Sequence, residues 1–285
     1  MLVIGAVAWA AVELDDPSGS AAPGGATGSA TATRPSTSGQ PASRERLPDL
    51  EQETPGEVGV KLDVTGGQRV HVLGFRSAVR NIGAGPLTVV GARYTDQPYM
   101  TVDQLIDRAG ADQRVVRGVG RMTYVVSPSH RHWHYLFFDR YELRPSDPNG
   151  GATNVIVTDR KSGFCLGDRY RVPGRLPAAP AHAVFTGECG LARPGWLHLR
   201  AGISVGFGDD YPAYLEGQSL PLDGIKAGRY VLVHRVNGDR RLRETSYANN
   251  AASVLLDLRW SNGTPNVQVL ASCPGTDRCS NRSSP

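Results

Sequence analysis

From Leu47 onward the apolar residues come in short runs, many alternating with polar ones and few at helical spacing. Val58 to Val64 alternates Val, Gly, Val, Lys, Leu, Asp, Val, the period of a strand with one buried face. Similar runs cover Arg69 to Asn81 and Pro86 to Tyr94, punctuated as turns by Gly66-Gly67 and Gly83-Ala84-Gly85-Pro86. Strands resume at Met122 to Val126, continue to Leu143 and break over Pro145 to Gly151. Asn154 to Thr158, Trp196 to Phe207, Tyr230 to Asn237, Ser253 to Trp260 and Asn266 to Leu270 complete the series. Only Thr101 to Ala109 reads as a short helix, and Arg175 to Pro194, rich in Pro and Ala, reads as an excursion. The expected fold is mainly β: an antiparallel β-sandwich-like domain with few short helices and long loops.

The N-terminal part has a different texture. Residues 1–13 open on MLVIGAVAWAAV, which has the length of a signal-peptide apolar region and a small-x-small pattern at Ala8-Trp9-Ala10, but no basic residues before it. Residues 14–46 are Ala, Gly, Ser, Thr and Pro without apolar periodicity, a composition that cannot offset the entropy of ordering. The reading is a truncated signal or anchor, a flexible tether, a folded domain over residues 47–272 and a tail over 273–285. Secretion or anchoring at a membrane or cell wall follows as the expected location.

With 285 residues and 40% hydrophobic content the chain can bury one substantial core. Gly at 34, Pro at 20 and 7% aromatics fit a turn-rich β protein. A net charge of +4 is spread along the chain rather than gathered on one face, which argues against nucleic acid and leaves an acidic surface or polymer as a partner. Four cysteines in an exported chain suggest two disulfides, and proximity in sequence pairs Cys273 with Cys279 and Cys165 with Cys189.

The strongest chemical signal is the run SHRHWHYLFFDRYEL from Ser129 to Leu143. On a strand, a spacing of two puts His130, His132 and His134 on one face. Three imidazoles with coordination positions left open suit copper or zinc in a catalytic site. Three of the seven histidines in five positions outweigh the reading of a plain surface strand. A zinc hydrolase of the HxHxDH type would need an Asp-His pair where Trp133 and His134 stand, which argues against hydrolysis.

Three further segments carry residues that packing alone does not require: KSGFCL from Lys161, GISVGFGDDYPAYLEGQ from Gly202 to Gln218, and RETSYANN from Arg243 to Asn250. With the histidines, and in this order between about Leu47 and Leu258, they resemble the catalytic domain of lysyl oxidases, copper- and quinone-dependent amine oxidases. The HxHxH run with an aromatic before its last histidine is similar to that family's copper motif. KSGFCL is similar to its K-A-S-F-C-L, whose lysine joins a tyrosine to form lysine tyrosylquinone, and the Gly-rich loop is similar to the segment that carries that tyrosine. The resemblance implies Lys161 and Tyr211 as the cofactor's parents and Asp209 as general base, with Asp210 as the alternative. Taken singly, Lys161 would be a surface lysine and Tyr211 a loop tyrosine.

The implied reaction oxidises a primary amine, a lysine-containing protein or a small amine, with dioxygen to an aldehyde, ammonia and hydrogen peroxide. The substrate amine condenses with the quinone carbonyl, and a base removes the α-proton. The resemblance also implies a calcium site at Asp49, the carbonyl of Leu50, Glu244, Asn249 and Asn250, with Ser246 replacing the family's aspartate. Phe207 and Gly217 stand where animal members have cysteines, so the disulfide framework differs. The alternative is a secreted, non-catalytic metal-binding β-sandwich of the cell envelope, which would have no use for Lys161 or Tyr211.

Overall fold

The structure is a computed structural model that describes residues 45–65, 67–127, 130–147, 157–158 and 163–280. The expected signal segment, nearly all of the expected tether, and Lys161 lie outside the described residues.

Among the described residues seventeen strands follow in chain order. They are β1 (Glu45–Arg46), β2 (Leu50–Gln52), β3 (Gly56–Thr65), β4 (Gln68–Asn81), β5 (Leu87–Ala92), β6 (Tyr99–Arg108), β7 (Ala111–Val126), β8 (Arg131–Tyr135) and β9 (Asp139–Pro145). Then come β10 (Val157–Thr158), β11 (Tyr170–Arg171), β12 (His198–Ile203), β13 (Phe207–Tyr211), β14 (Ser219–Pro221), β15 (Gly228–Val236), β16 (Ala251–Ser261) and β17 (Thr264–Cys273). They form three sheets in the orders β12-β5-β6-β7-β8, β10-β9-β15-β16-β17 and β11-β13-β4-β14. β1 joins the first beside β6, and β2 and β3 join the third beside β4. The pairings are antiparallel throughout, so the fold is the mainly β, sandwich-like one that the alternation implies. Among the described residues no helix is long and apolar enough to cross a membrane.

One hydrophobic core draws on all three sheets: Val89 and Met100 from the first, Leu143 and Leu232 from the second, Phe75 and Leu220 from the third. β15 is buried on both faces. Leu232 and Val236 point into that core, while Val231 and Val233 pack behind the sheet on Leu255 and Cys279. The disulfide Cys273–Cys279 therefore closes a loop that covers the back of this sheet.

The helix expected over Thr101 to Ala109 is corrected to strand β6. Met100, Val102, Gln104 and Ile106 are the inward residues, a period of two. Gln104 disguised that period, because a polar residue sits at an inward position. Its amide is satisfied there by the Arg243 backbone, donating to the carbonyl at 2.8 Å and accepting from the N–H at 2.8 Å. The Gly-rich stretch expected as a loop likewise contains strand β13, hydrogen-bonded to β4. Gly208 fits there because a Cβ would lie 2.3 Å from the Tyr170 ring.

β15 also buries His234, whose burial pushes its pKa down to about 3 from 6.5. The folded state refuses a proton that the unfolded chain accepts below 6.5. Stability on this account is full above pH 6.5 and erodes as pH falls toward 3, by up to ~1.4 kcal/mol per pH unit. A His234→Phe variant is expected to unfold with a flatter dependence on pH across that window, measured by urea titration at pH steps; an unchanged slope would assign acid sensitivity elsewhere.

Candidate active site

The site is built on β8. Its inner edge pairs with β7, His132 opposite Val125 and His134 opposite Thr123. His130 precedes the strand and is set by a turn, in which Ser127 N–H donates to the His130 carbonyl at 2.7 Å. Alternation then sends Trp133 and Tyr135 to one side, both buried, and the three histidines to the other. Trp133 is held by Tyr124, ring centroids 5.6 Å apart, by the Arg93 guanidinium 5.0 Å above its ring, and by a bond from its indole N–H to the Arg193 carbonyl at 3.1 Å. Fixing Trp133 fixes the histidines behind it.

The imidazoles converge. His130 Nδ1 lies 3.3 Å from His132 Nε2, which lies 2.8 Å from His134 Nε2, and one ligand atom from each falls within 4.8 Å of the others. Neutral ring nitrogens crowded this closely repel unless a proton or a cation stands between lone pairs. Such a donor set fits a borderline metal ion. His130 and His134 are buried and His132 is half-buried, which leaves one side of the cluster open.

The outer edge of β8 is covered by the segment that follows Lys161. Phe164 bridges Tyr135 with bonds of 2.8 and 3.0 Å, and the Cys189 carbonyl accepts from Trp133 N–H at 3.0 Å. The disulfide Cys165–Cys189 ties these two covering pieces together. Asp168 anchors the Pro- and Ala-rich excursion, accepting from Val184 N–H, Ser204 N–H and Ser204 Oγ, each at 2.7 Å.

Gly163 is where the described chain resumes, two residues after Lys161. A Cβ at Gly163 would sit 2.6 Å from the His134 Cβ and 3.0 Å from its Nδ1. Gly163→Ala is expected to displace His134 and weaken binding of copper(II) about tenfold or more, read by competitive titration. Parent affinity in that variant would mean the close approach is dispensable.

Tyr211 arrives from the third sheet. Its ring is stacked on His130 at 6.4 Å and 18°, and tilted against Phe164 at 4.4 Å. Cys165 N–H donates to its hydroxyl at 2.6 Å. Burial, with the negative charge of Asp209, holds the phenol's pKa far above its ordinary value. Asp209 shares the inward face of β13 with Tyr211, while Asp210 faces the other way and pairs with Arg76 at 3.0 Å. The Asp209 carboxyl accepts from Gly167 N–H at 3.3 Å and lies 3.7 Å from Arg169 Nε. Burial raises its pKa well above the carboxylate range, and Arg169 opposes that shift. Sequence reading overlooked Arg169, since an Arg in a basic stretch carries no local signal.

The oxygen-rich residues also assemble, at a separate place. Asn249 Nδ2 donates to Asp49 at 2.9 Å, while the Glu244 carboxylate accepts from Leu50 N–H at 2.9 Å, Asn250 at 2.7 Å and Asn237 at 2.6 Å. It is thus the Leu50 N–H that touches Glu244. Asn249 Oδ1 and Asn250 Oδ1 are buried without a hydrogen-bond partner among the described residues, which fits a hard cation. Ser246 Oγ is turned to its own loop, accepting from Ala248 N–H at 3.1 Å. Burial raises the Glu244 pKa to about 7 from 4.5, with the bonds from Asn250, Asn237 and Leu50 pulling it down. Asn237 was not foreseen; at the end of the strand-like run Tyr230 to Asn237 it carried no sign of a role.

The structure therefore brings His130, His132, His134, Tyr211 and the segment after Lys161 to one place, and Asp49, Leu50, Glu244, Asn249 and Asn250 to another. No curated protein matches the chain. A sequence model of lysyl oxidase matches residues 104–268, more than half of the chain, and that span holds the histidine cluster, both covering pieces of β8 and Tyr211. On that match the chain belongs to the lysyl oxidase family.

Proposed function

We propose that this chain is a copper-dependent amine oxidase that draws its organic cofactor from Lys161 and Tyr211. The observation that carries the reading is the position of Tyr211, stacked on His130 and aligned by the Cys165 N–H beside a histidine cluster suited to copper. When bound, copper and the tyrosine-derived quinone supply the redox chemistry and the electrophilic carbonyl that turn a primary amine into an aldehyde with dioxygen as acceptor.

The protein's own residues do the rest. His130, His132 and His134 would hold the metal, and the Trp133 packing keeps them aimed. Tyr211 presents its ring to that cluster, and the Cys165 N–H sets the orientation of its oxygen. Lys161 would serve as the amine partner of Tyr211, its uncharged ε-amine being the nucleophilic form. Asp209, buried on the Tyr211 face, takes the α-proton of the substrate, and Arg169 at 3.7 Å favours its ionised form against the burial that disfavours it. Asp210 is committed to Arg76, which favours Asp209 for this role.

Peptidyl lysine or a small primary amine is the proposed substrate, with dioxygen as co-substrate and ammonia and hydrogen peroxide released with the aldehyde. Two disulfides in a member of this family support an extracytoplasmic location, secreted or held at the cell surface by the N-terminal tether. Copper-loaded protein in air, offered a panel of primary amines, should release peroxide and ammonia in equal amounts. A fully copper-loaded chain that releases neither with any amine would contradict the assignment.

Calcium is the proposed occupant of the cluster around Glu244. Without it, stability on account of Glu244 falls as pH rises from 4.5 to 7, because the folded carboxyl must ionise while buried. Calcium at about 100 times its dissociation constant should add ~2.7 kcal/mol and raise Tm by roughly 5–10 °C at pH 8, and much less at pH 5. Glu244→Gln should lose that increment in a calorimetric scan; a calcium response equal in both proteins would place the ion elsewhere.

A further inference from the structure

Pairing along β4 stops at Tyr211 and starts again eight residues later: Tyr211 stands opposite Ser77, and Ser219, the first residue of β14, stands opposite Gly74. Pro212 has no N–H to give, so the β13 ladder ends at Tyr211. Seven residues, 212–218, then lie where β4 has two, Phe75 and Arg76. Chain in such excess would be free to swing beside the residue that presents its ring to His130.

It is held instead by β3. Val72, Leu73 and Gly74 pair with both β14 and β3, so β3 lies on the other edge of β4 from β14. Two of its side chains reach across and bind both backbone groups of Ala213, two residues beyond Tyr211. The Ala213 N–H donates to Glu57 Oε2 at 2.9 Å, and the Ala213 carbonyl accepts from Lys61 Nζ at 2.7 Å.

The sequence clears the way for both. Gly59 and Gly74 stand opposite each other, and the Lys61 stem runs over Gly74, where a Cβ would come within 3.1 Å of its Cδ and Cε. Glu57 is aimed by a bulge, in which Glu57 and Val58 together face the single residue Phe75. Its φ of 49° is a left-handed conformation that a residue other than glycine keeps only where its surroundings impose it.

We propose that Lys61 and Glu57 are positioning residues for Tyr211, clamping Ala213 so that the tyrosine ring stays stacked on His130 and its hydroxyl stays on the Cys165 N–H. The inference rests on the oxidase reading, which gives the placement of that ring a use. The clamp acts on the tyrosine through two residues of backbone, and the histidine cluster is assembled without it.

The test uses the full chain and three variants. Lys61→Met keeps the stem and removes the donor, Lys61→Arg restores a donor, and Glu57→Ala opens the other half of the clamp at an exposed position. In the metal-free protein the Ala213 and Leu215 amides should exchange with deuterated solvent at least about tenfold faster in Lys61→Met and Glu57→Ala, with the Val231 and Val233 amides unchanged. The nuclear Overhauser contact between the Tyr211 and His130 rings should weaken in the same two variants. Loaded with copper in air, both should bind copper as tightly as the parent yet grow the quinone band about tenfold more slowly, with Lys61→Arg within about twofold of the parent. Parent exchange rates in both variants overturn the clamp. Faster exchange with maturation at the parent rate overturns the positioning role. A loss of copper affinity that matches the slower band overturns it as well, because the two residues would then only support the fold. A copper-loaded parent that never develops the band overturns the oxidase reading and with it the role given to the clamp, even where the exchange rates change as expected.

Discussion

His134→Ala is expected to lower copper affinity by at least about a hundredfold and to abolish any copper-dependent absorption, with little change in the far-ultraviolet circular dichroism spectrum. His134 is the histidine that the site invests in most heavily. It lies 2.8 Å from His132 Nε2, packs its ring 4.9 Å from His130, and has Gly163 pressed against its Cβ. Removing the ring leaves two nitrogens where three converged, and a third cannot be recruited because Trp133 and Tyr135 face the other side of the strand. Titration with a competing chelator reads the change. Parent affinity in His134→Ala would mean that copper, if bound, is held elsewhere.

The second large effect is expected from the disulfide that crosses the site. Cys165→Ala with Cys189→Ala opens a loop spanning 24 residues, for which chain entropy predicts a loss of about 3 kcal/mol and a fall in Tm of roughly 6–12 °C. The loss should not stop at stability. Cys165 N–H holds the Tyr211 hydroxyl, and the Cys189 carbonyl holds the edge of β8 at Trp133, so unlinking the two loosens both sides of the histidine strand. Copper affinity should fall with the melting temperature. Cys273→Ala with Cys279→Ala is the contrast, since that bridge closes only the back of β15 and β16. It should lower Tm while leaving copper affinity at the parent value; equal losses of affinity in both double variants would show that the first bridge acts through general stability alone.

Much of this architecture was legible because strands with one wet face advertise a period of two. β3 falls where its alternation puts it, β15 and β16 fall where continuous apolar runs mark strands buried on both faces, and the histidine spacing gives the convergence of three rings directly. What stayed hidden has physical causes. β6 was masked by Gln104, a polar residue turned inward and satisfied by a backbone 139 positions away in sequence. The first half of β7 is mostly exposed, with Val119 its one buried residue, so it is a strand chiefly through its pairing with β6. β13 contains Gly208, Asp209 and Asp210, poor strand formers held extended by β4. The Ser77 to Asp139 bond joins two different sheets, and a contact of that kind leaves no mark on either local sequence. The two disulfides were readable because each cysteine's nearest neighbour in sequence is also its neighbour in space.

In the proposed oxidase Lys161 and Tyr211 become one cofactor beside copper. The most direct measurement is the visible absorption spectrum of the copper-loaded, aerated protein before and after phenylhydrazine, with Lys161→Arg and Tyr211→Phe alongside. The parent should show a quinone band that shifts on forming a hydrazone adduct and is missing from both variants at equal copper occupancy. A parent with full copper and no such chromophore, or a band that survives in either variant, would contradict it and leave the histidines as the centre of a metal-binding module.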